Sequence, residues 1–372
     1  MIHFYFKDKL INDFFYKDVF CVPAELSKKL NKKVELNFVW KDGIIENPYI
    51  NNKSIIINIH KNYISMFLYF IKNIKNISIL WLFHIYKHSI LFSYFLKFFN
   101  KKWKIYIKWD LNKNSLNNLL NLNKKYKLLI YFLNKVDIIS FENQIFYDLF
   151  MDWIKFKNKV LVLKNSLYLW NSIENNYCKK ENIILVVWRI YFEELKRYTF
   201  LLKSLLNIKK SLNWWKIIFI WKTSWIINWK FLDFKKENAN LINQVLDNNI
   251  DISFLWPIYE RKKLYNYFNK SKIYCISSSS EGDPLVQYEA MYYSNIMVST
   301  DTWTITENYC KEWLFISNIN NQKEYENNLL KAIKLSKSKN INRIYKKINN
   351  HCLQNYTWSK NLKYLIKELK WN

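Results

Sequence analysis

Two carboxylates separated by a tight turn are the residues of this sequence best suited to chemistry. Glu281 and Glu289 lie eight residues apart, Gly282 allows a sharp turn after the first, and Pro284 favours the first position of a helix. A helix that begins near Asp283 leaves its first N–H groups free to hydrogen-bond an anion. The segment therefore combines an anion site with two acceptors for hydroxyl groups, which suits a nucleotide diphosphate sugar.

Residues 278–291 also resemble a known sequence signature. The pattern Ser-x-x-Glu-Gly-x-Pro-Leu-Val-x-x-Glu-Ala-Met is similar to the E-x7-E motif of the family 4 retaining glycosyltransferases of the bacterial envelope-polysaccharide type. The resemblance implies an α/β protein of the GT-B fold, with two doubly wound Rossmann-like domains facing a cleft and a C-terminal helix that crosses back to the first domain. The alternative is two surface glutamates on an amphipathic helix.

The resemblance assigns the donor contacts to this segment. Glu289 is expected to bind the ribose hydroxyls, and Glu281 is expected to contact the transferred sugar. The backbone of the turn should meet the sugar or the phosphates, and it comprises Asp283, Pro284, Leu285 and Val286. The second half of the sequence has no Asp-x-Asp pair, and metal-free turnover is usual for this fold. We therefore expect neither a metal nor another cofactor.

Two cations are predicted to act on the leaving group. Arg189 follows an apolar strand pattern that ends at Trp188, a position where the resemblance also implies a donor contact, and Lys196 comes seven residues later. Cations in a strand-to-helix loop can neutralise a departing diphosphate, where the transition state develops charge. The family carries an Arg/Lys pair here, although Arg197 leaves the choice of the second cation open. The alternative for both is a solvated basic residue in a Lys-rich chain.

Glycine and tryptophan contents are both unusual. The sequence has 2 Gly and 17 Trp in 372 residues, whereas Gly makes up about 7% of an average protein. Several Trp stand at strand ends or in turns, where the conformational freedom of Gly is normally needed: Trp188, Trp221, Trp256, Trp303 and Trp313. We hypothesise that UGA encodes glycine in the source organism and is translated here as tryptophan, with Trp215 and Trp358 as true tryptophans. The alternative is a genuinely Trp-rich protein.

The acceptor side is predicted from the first half. Asp110 follows the strand-like run Lys104–Ile107, in a segment where the family often has a His-Asp pair, and Trp109 stands in place of the histidine. We expect Asp110 to act on the acceptor. His84 and His88 have the spacing of metal ligands but lack the glutamate of a zinc hydrolase motif, so a strand-end position for His84 is favoured. Three nearby polar residues are expected to be structural: Tyr106, Lys108 and Glu142.

The net charge indicates an anionic partner. Lys and Arg number 58 against 30 Asp and Glu, which gives a formal charge of +28. Nucleic acid, an anionic membrane surface and anionic substrates all fit such a charge. The Lys residues are spread along the chain, no RNA-binding signature is found, and a bias toward AT-rich codons explains part of the excess. We expect no nucleic-acid partner, and an attraction to anionic lipid of about 1 kcal/mol for each suitably placed cation.

Cysteines and apolar runs bear on location. The five cysteines are far apart and odd in number, so they indicate neither a zinc site nor a disulfide framework and fit a reducing compartment. The N-terminal residues meet charge too early for a signal peptide. The most apolar stretch, residues 77–99, contains two lysines and two histidines and favours a strand plus a helix over a transmembrane helix. We expect a cytoplasmic protein, peripheral on the inner face of the cell membrane.

The alternation of strand-like and helical patterns predicts two parallel sheets. Strands are predicted in the first half over Val34–Val39, Ser54–Ile59, Ile77–Phe83, Lys104–Ile107, Asp137–Phe141 and Val160–Leu163, and in the second over Asn182–Val187, Lys216–Ile220, Asp251–Phe254, Lys272–Ser277 and Ile296–Ser299. Helices are predicted over residues 24–30, 115–134, 198–206, 261–269, 324–336 and 358–369. The expected domains are 1–168 together with the helix 357–372, and 175–356.

These observations favour a retaining glycosyltransferase. It would move a hexose from a nucleotide diphosphate sugar to a glycan or lipid-linked acceptor in cell-envelope polysaccharide synthesis. One alternative is a basic nucleic-acid-binding protein, which would show salt-dependent retention on DNA and no binding of nucleotide sugars. The other is a degenerate transferase that binds the donor without turnover.

Overall fold

The structure is a computed structural model of the 372-residue chain. It describes residues 1–6, 9–11, 14–15, 17–41, 53–84, 94–95, 97–110, 131, 133–153, 156–169, 174–188, 193–221, 224–227, 230–258, 260–302, 304–308 and 310–368. The chain divides into two compact units, Met1–Tyr168 with Thr357–Asn372 and Leu169–Tyr356. In the described ranges, no helix has both the length and the apolar composition needed to cross a membrane.

The first unit is built on a seven-stranded parallel sheet. Its strands are β1 (Ile2–Phe6), β2 (Val34–Val39), β3 (Ile55–His60), β4 (Ile79–Phe83), β5 (Lys104–Trp109), β6 (Ile138–Phe141) and β7 (Lys159–Val162), in the order β3-β2-β1-β4-β5-β6-β7. Strands β1, β2 and β4 are buried along their whole length. Continuous apolar runs of this kind are typical of a parallel sheet covered on both faces.

Helices cover the two faces of this sheet. They are α1 (Asp18–Leu30), α2 (Tyr63–Lys72) and α3 (Gln144–Trp153), together with a C-terminal helix (Trp358–Glu368). The start of α2 is fixed by a capping box in which Ser65 N donates to Asn62 Oδ1 at 2.8 Å. The C-terminal helix buries Trp358, Leu362 and Leu365 in the same apolar cluster as α1. The last helix of the chain is therefore part of the first unit's core.

The second unit repeats this architecture. Its strands are β8 (Glu181–Val187), β9 (Lys216–Ile220), β12 (Asp251–Leu255), β13 (Ser271–Ile276), β14 (Ile296–Thr300) and β15 (Leu314–Ser317), in the parallel order β12-β9-β8-β13-β14-β15, and β10 (Ser224–Ile227) and β11 (Lys230–Asp233) form an antiparallel pair. Its helices are α4 (Glu193–Lys196), α5 (Tyr198–Asn207), α6 (Phe234–Glu237), α7 (Ala239–Asp247), α8 (Arg261–Lys270), α9 (Leu285–Tyr292), α10 (Gln322–Ser336) and α11 (Ile341–Asn355). In both units the first strand lies between the second and the fourth, which is the doubly wound order.

The predicted α/β class with two doubly wound sheets is confirmed. Most predicted strands lie within two residues of the observed ones. The elements that were not predicted are the strands β1, β10, β11 and β15 and the helices α2, α3, α4, α6, α7 and α11. One boundary near the site differs. Helix α9 begins at Leu285 rather than near Asp283, and Pro284 is its N-cap residue with an extended backbone. Most of the predicted helix 115–134 lies outside the described residues.

Candidate functional site

The strand order of the second unit reverses between β8 and β13, which pair side by side. Doubly wound sheets bind ligands at the carboxyl ends of their strands, at such a reversal point. Strand β8 ends at Val187 and leads toward Lys196, whereas β13 ends at Ile276 and leads to Glu281. The chain therefore brings the loops with the predicted cation and the predicted carboxylate to one edge of the sheet.

Lys196 and Glu281 are in direct contact. Lys196 Nζ lies 2.5 Å from Glu281 Oε1, and the Ser278 hydroxyl donates to the same oxygen at 2.5 Å. Their side chains are 16% and 12% exposed. The two loops are also joined through the backbone, because Ser279 N donates to Leu195 O at 2.8 Å and the Ser277 hydroxyl donates to Lys196 O at 2.7 Å. The carboxylate is thus held by one charged and one neutral donor.

Arg197 has different partners from Lys196. Its guanidinium donates to the carbonyl of Ile319 and lies over the ring of Phe200, 4.1 Å from the ring centroid. Its φ is 55°, in the left-handed region, directly before α5 begins. The structure therefore places Lys196, rather than Arg197, against Glu281.

Glu289 has a partner that was not predicted. Arg261 is the first residue of α8, and its Nη1 donates to Glu289 Oε1 at 3.0 Å. Both side chains are buried. A signal for Arg261 exists in the composition, because only four of the 58 basic residues are Arg. In a chain so rich in Lys, an Arg marks a position where a planar, multi-donor cation has an advantage.

The turn between the two glutamates is fixed by Asp283. This buried carboxylate accepts hydrogen bonds from Gln287 Nε2 and from the Tyr288 hydroxyl, each at 2.6 Å. Its side chain thus anchors the start of α9, and any donor contact at this position falls to the backbone. The three residues that follow are half-buried, which leaves part of their surface open to a ligand: Pro284, Leu285 and Val286.

Trp188 fills the space after β8. It is 5% exposed, and its ring lies 4.8 Å from that of Tyr198 and 5.7 Å from that of Trp221. Its backbone N–H donates to Ile220 O at 3.1 Å, which extends the pairing of β8 with β9. The predicted cation Arg189 lies outside the described residues.

Asp110 belongs to the first unit and stands in a cluster of charges at the end of β5. Lys108 Nζ lies 2.8 Å from Asp18 Oδ2 and is also in contact with Asp110. The ammonium of Lys108 is fully buried, whereas the Asp110 side chain is 22% exposed. Asn165 Nδ2 donates to Glu142 at 2.8 Å. Lys108 is therefore the common partner of two carboxylates that come from α1 and β5.

The cluster keeps Lys108 and Asp110 charged. Burial alone lowers the pKa of Lys108, but the carboxylates of Asp110, Asp18 and Glu142 outweigh it and hold that pKa well above its usual value. Burial likewise raises the pKa of Asp110, but the positive charges of Lys108 and His84 together with hydrogen bonds bring it below its usual value. Asp110 is thus an ionised carboxylate, suited to accept a hydrogen bond from a hydroxyl group.

Trp109 and His84 lie next to this cluster of charges in the first unit. Trp109 is buried against Phe141 and Phe150, so an apolar ring stands beside Asp110. His84 directly follows β4, with φ 61°, and its N–H donates to Lys108 O at 2.9 Å. His88 lies outside the described residues. Among the residues that the structure describes, no group of three His, Cys, Asp or Glu side chains is arranged to hold a metal ion.

Comparisons with known proteins agree with this architecture. Residues 171–351 match the family described as Glycosyl transferases group 1. HepE of Anabaena in complex with UDP is similar in structure, with a TM-score of 0.70, 9% identity and 99% of each chain covered. The α,α-trehalose 6-phosphate synthase of Burkholderia multivorans has a TM-score of 0.68 at 11% identity, covering 100% of this chain and 98% of its own.

A lipopolysaccharide outer core galactosyltransferase, WaaB, is also similar, with a TM-score of 0.64, 15% identity and 99% of each chain covered. No curated protein gives a significant match. At these low identities the structural similarity establishes the fold alone. The sequence match to the family covers nearly all of the second unit. The second unit therefore matches the glycosyl transferases group 1 family over residues 171–351, and the chain as a whole has the GT-B fold.

Proposed function

We propose that this protein is a retaining glycosyltransferase that moves a hexose from a nucleotide diphosphate sugar to a glycan or lipid-linked acceptor in cell-envelope polysaccharide synthesis. The observation that carries the proposal is the contact of Lys196 with Glu281 at the reversal point of the second sheet. A cation and a carboxylate side by side match a ligand that has phosphate next to a polyhydroxy ring. The UDP in the similar HepE complex supports a nucleotide diphosphate as the donor.

The side chains divide the work according to their charge. Lys196, together with Arg189, neutralises the charge that develops on the departing diphosphate. Glu281 accepts a hydrogen bond from the transferred sugar, and Glu289 accepts from the ribose. The backbone of residues 283–286 faces the sugar or the phosphates at the start of α9, because the first N–H groups of a helix have no partner within the helix and can bind an anion. No metal and no further cofactor are required in this scheme.

Donor binding must rearrange the contact seen here. Lys196 Nζ already has Glu281 as its partner at 2.5 Å. A phosphate that approaches Lys196 brings a second negative charge, so the ammonium shifts toward it and the carboxylate gains an open position. A sugar hydroxyl can fill that position and replace the lost donor. The ion pair thus holds both groups in place until donor arrives.

The acceptor is proposed to meet the first unit at Asp110. The carboxylate is ionised and partly exposed, so it can accept a hydrogen bond from the attacking hydroxyl. Its contact with Lys108 fixes its orientation. We propose that the reaction takes place in a reducing cytoplasm, in line with the spacing of the cysteines.

The decisive experiment measures donor hydrolysis and transfer with a panel of nucleotide diphosphate sugars. Glu281→Gln should abolish most turnover on the active donor. The matched control is Glu312→Gln, since Glu312 also forms an ion pair, with Lys347 at 2.7 Å, elsewhere in the second unit. Equal turnover of the two variants would contradict the proposed site. Binding of a nucleotide sugar without any turnover would identify a degenerate transferase.

We also propose that several of the tryptophans are glycines in the native protein. Trp40 and Trp214 both have φ 70°, a conformation that costs a bulky residue about 1–2 kcal/mol and costs glycine nothing. Trp214 is 92% exposed, so no packing offsets this cost. At Trp188 a glycine would leave the space after β8 open to a donor. Coding DNA with UGA at these positions and UGG at Trp215 would support the proposal, and an indole mass at position 188 of the native protein would overturn it.

A further inference from the structure

The first unit has an apolar surface that the proposed chemistry does not use. Helix α2 buries Met66 and Phe70 against the sheet, yet on its other side Ile64 is 70% exposed and Leu68 is 58% exposed. Ile64 and Leu68 are four residues apart and therefore lie on one face of the helix. A helix that is apolar on both faces normally has an apolar neighbour on each of them.

Aromatic residues extend this face. Phe98 is 74% exposed and Phe99 is 55% exposed. The ring of Phe95 lies 4.9 Å from that of Phe67 on α2 and 4.9 Å from that of Phe99, so this segment adjoins α2. The outer apolar surface, as we call it, consists of Ile64, Leu68, Tyr94, Phe95, Phe98 and Phe99. It contains no Trp, so it does not depend on how UGA is translated. A solvent-exposed apolar cluster of this kind marks an interaction site.

The charges around the outer apolar surface are mostly positive. Residues 47–109 contain ten Lys and neither Asp nor Glu. Lys101 and Lys102 are exposed two and three residues after Phe99, and Lys61 and Lys72 are exposed at the two ends of α2. Lys97 is paired with Asp137 at 2.5 Å, so we call the four exposed residues Lys61, Lys72, Lys101 and Lys102 the Lys fringe. The partner of this surface must therefore combine an apolar phase with negative charge.

We propose that the outer apolar surface docks the first unit on an anionic lipid bilayer. The Phe, Ile and Leu side chains would enter the boundary between head groups and acyl chains, and the Lys fringe would contact anionic head groups. A second copy of this chain fits less well, because two Lys fringes would face and repel each other. Nucleic acid matches the charge but offers no apolar phase for exposed Ile and Leu. This docking is independent of the proposed glycosyl transfer.

Flotation with vesicles tests the docking. The full chain is mixed with vesicles of phosphatidylcholine alone, or of phosphatidylcholine mixed with phosphatidylglycerol, and the bound fraction is measured. We expect binding only to the anionic vesicles, weakened by high salt because exposed charges are screened. Phe98→Ser with Phe99→Ser should lower the partition coefficient more than tenfold. Lys101→Gln with Lys102→Gln should lower it about 25-fold, since each cation contributes about fivefold.

Matched controls separate the surface from overall charge and hydrophobicity. Lys209→Gln with Lys210→Gln removes two exposed adjacent Lys from the second unit, and Leu246→Ser removes an exposed apolar residue there. Both should leave the partition coefficient within twofold. If Phe98→Ser with Phe99→Ser binds anionic vesicles like the unaltered chain, or if neutral vesicles bind equally, the proposal is wrong. Concentration-dependent dimerisation that this variant abolishes, without vesicle binding, would instead identify a second copy as the partner.

Failure of the docking and failure of the proposed enzyme are distinguishable. Nucleotide-sugar binding and hydrolysis are measured without vesicles on the same Phe98 and Phe99 variant. These residues belong to the first unit and the Lys196–Glu281 contact belongs to the second, so both properties should be unchanged. A normal donor reaction with no vesicle binding rejects the docking alone, and vesicle binding with no donor reaction rejects the enzyme alone.

Discussion

Arg261 and Glu289 form a buried ion pair, with 3.0 Å between Nη1 and Oε1 and with side chains that are 10% and 7% exposed. The charge of Glu289 is thus balanced before any ligand arrives, and its carboxylate is held in one orientation. Because Arg261 begins α8 and Glu289 lies within α9, the pair also ties two helices of the second unit together. A ribose contact at Glu289 would inherit this fixed geometry.

Arg261→Met should therefore destabilise the second unit. Removing one partner of a buried ion pair leaves an uncompensated charge and costs about 3–5 kcal/mol. The free energy of unfolding in urea measures this loss. Arg261→Met combined with Glu289→Gln should recover most of it, because no buried charge is left alone. A double variant as unstable as the single one would show that the two residues are not coupled.

Lys196 and Arg197 should differ in their effects although they are adjacent. Lys196→Met should lower kcat for transfer about 100-fold, because a group that stabilises developing charge is lost. It should also lower the unfolding free energy, because Glu281 loses its charged partner. Arg197→Met should chiefly lower stability, since Arg197 bonds to Ile319 O and packs on Phe200. Steady-state kinetics and urea unfolding on both variants decide this. Similar losses of kcat in both would contradict the distinction.

Asp110→Asn tests the acceptor assignment separately from the donor site. The amide keeps the shape of the side chain but removes the charge that accepts a hydroxyl proton or hydrogen bond. We expect transfer to acceptor to fall by at least tenfold, while hydrolysis of the donor by water is unchanged. Both rates are measured with the same donor. A parallel loss of the two rates would show that Asp110 serves the fold rather than the acceptor.

His3 should make stability depend on pH. Burial lowers the pKa of this histidine to about 3, with a smaller contribution from the charged N-terminus. His3 also lies 3.3 Å from the Glu35 carboxylate. Between pH 6.5 and about 3 the unfolded chain binds a proton that the folded chain does not, so the stability contribution is full above pH 6.5 and decreases as the pH falls.

At pH 5 the free energy of unfolding should be about 2 kcal/mol lower than at neutral pH. This follows from about 1.36 kcal/mol for each pH unit below the histidine pKa of about 6.5 in the unfolded chain. Urea unfolding of the wild-type chain and of His3→Leu at neutral pH and at pH 5 provides the measurement. The variant should lose less stability between the two pH values than the wild-type chain does. An identical loss in both would show that His3 does not titrate as its burial implies.

Tryptophan substitutions should separate strained positions from packed ones. Trp214→Gly should raise the unfolding free energy by about 1 kcal/mol, because it relieves a left-handed backbone at an exposed site. Trp215→Gly should lower it by about 3–5 kcal/mol, since that ring is 2% exposed. Thermal unfolding of the two variants gives both values. A destabilised Trp214→Gly protein would remove the strain argument for that position.

The sequence predicts the sheets well because their strands are apolar on both faces. Lys216–Ile220 is observed with the predicted bounds, and Val34–Val39 likewise. The start of helix α9 was harder to predict. The Asp283 side chain accepts hydrogen bonds from Gln287 and Tyr288, and the helix begins only at Leu285. Side-chain bonds of this kind depend on the folded turn and leave no periodic pattern.

The site was predicted where chemistry and local sequence coincide. Glu281, Glu289 and Lys196 were chosen from motif and spacing, and the contact of the first with the third required the fold to bring two loops together. Arg261 was not predicted, because it lies 28 residues from its partner Glu289 in the sequence. Lys108 was expected to be merely structural, yet it joins Asp18 and Asp110 across 90 residues of sequence. Long-range partners are set by topology, which local patterns do not encode.

The C-terminal helix determines the order in which the two units can finish folding during synthesis. Trp358, Leu362 and Leu365 complete an apolar cluster that Phe20 and Leu26 begin, and Trp358 N donates to Leu167 O at 3.0 Å. A ribosome releases these residues only after the entire second unit has emerged. On the nascent chain the first unit therefore cannot complete its core, and part of its apolar interior stays exposed to solvent. The second unit can already fold at that stage. Chaperone dependence during synthesis should accordingly fall on the portion of the polypeptide that is translated first.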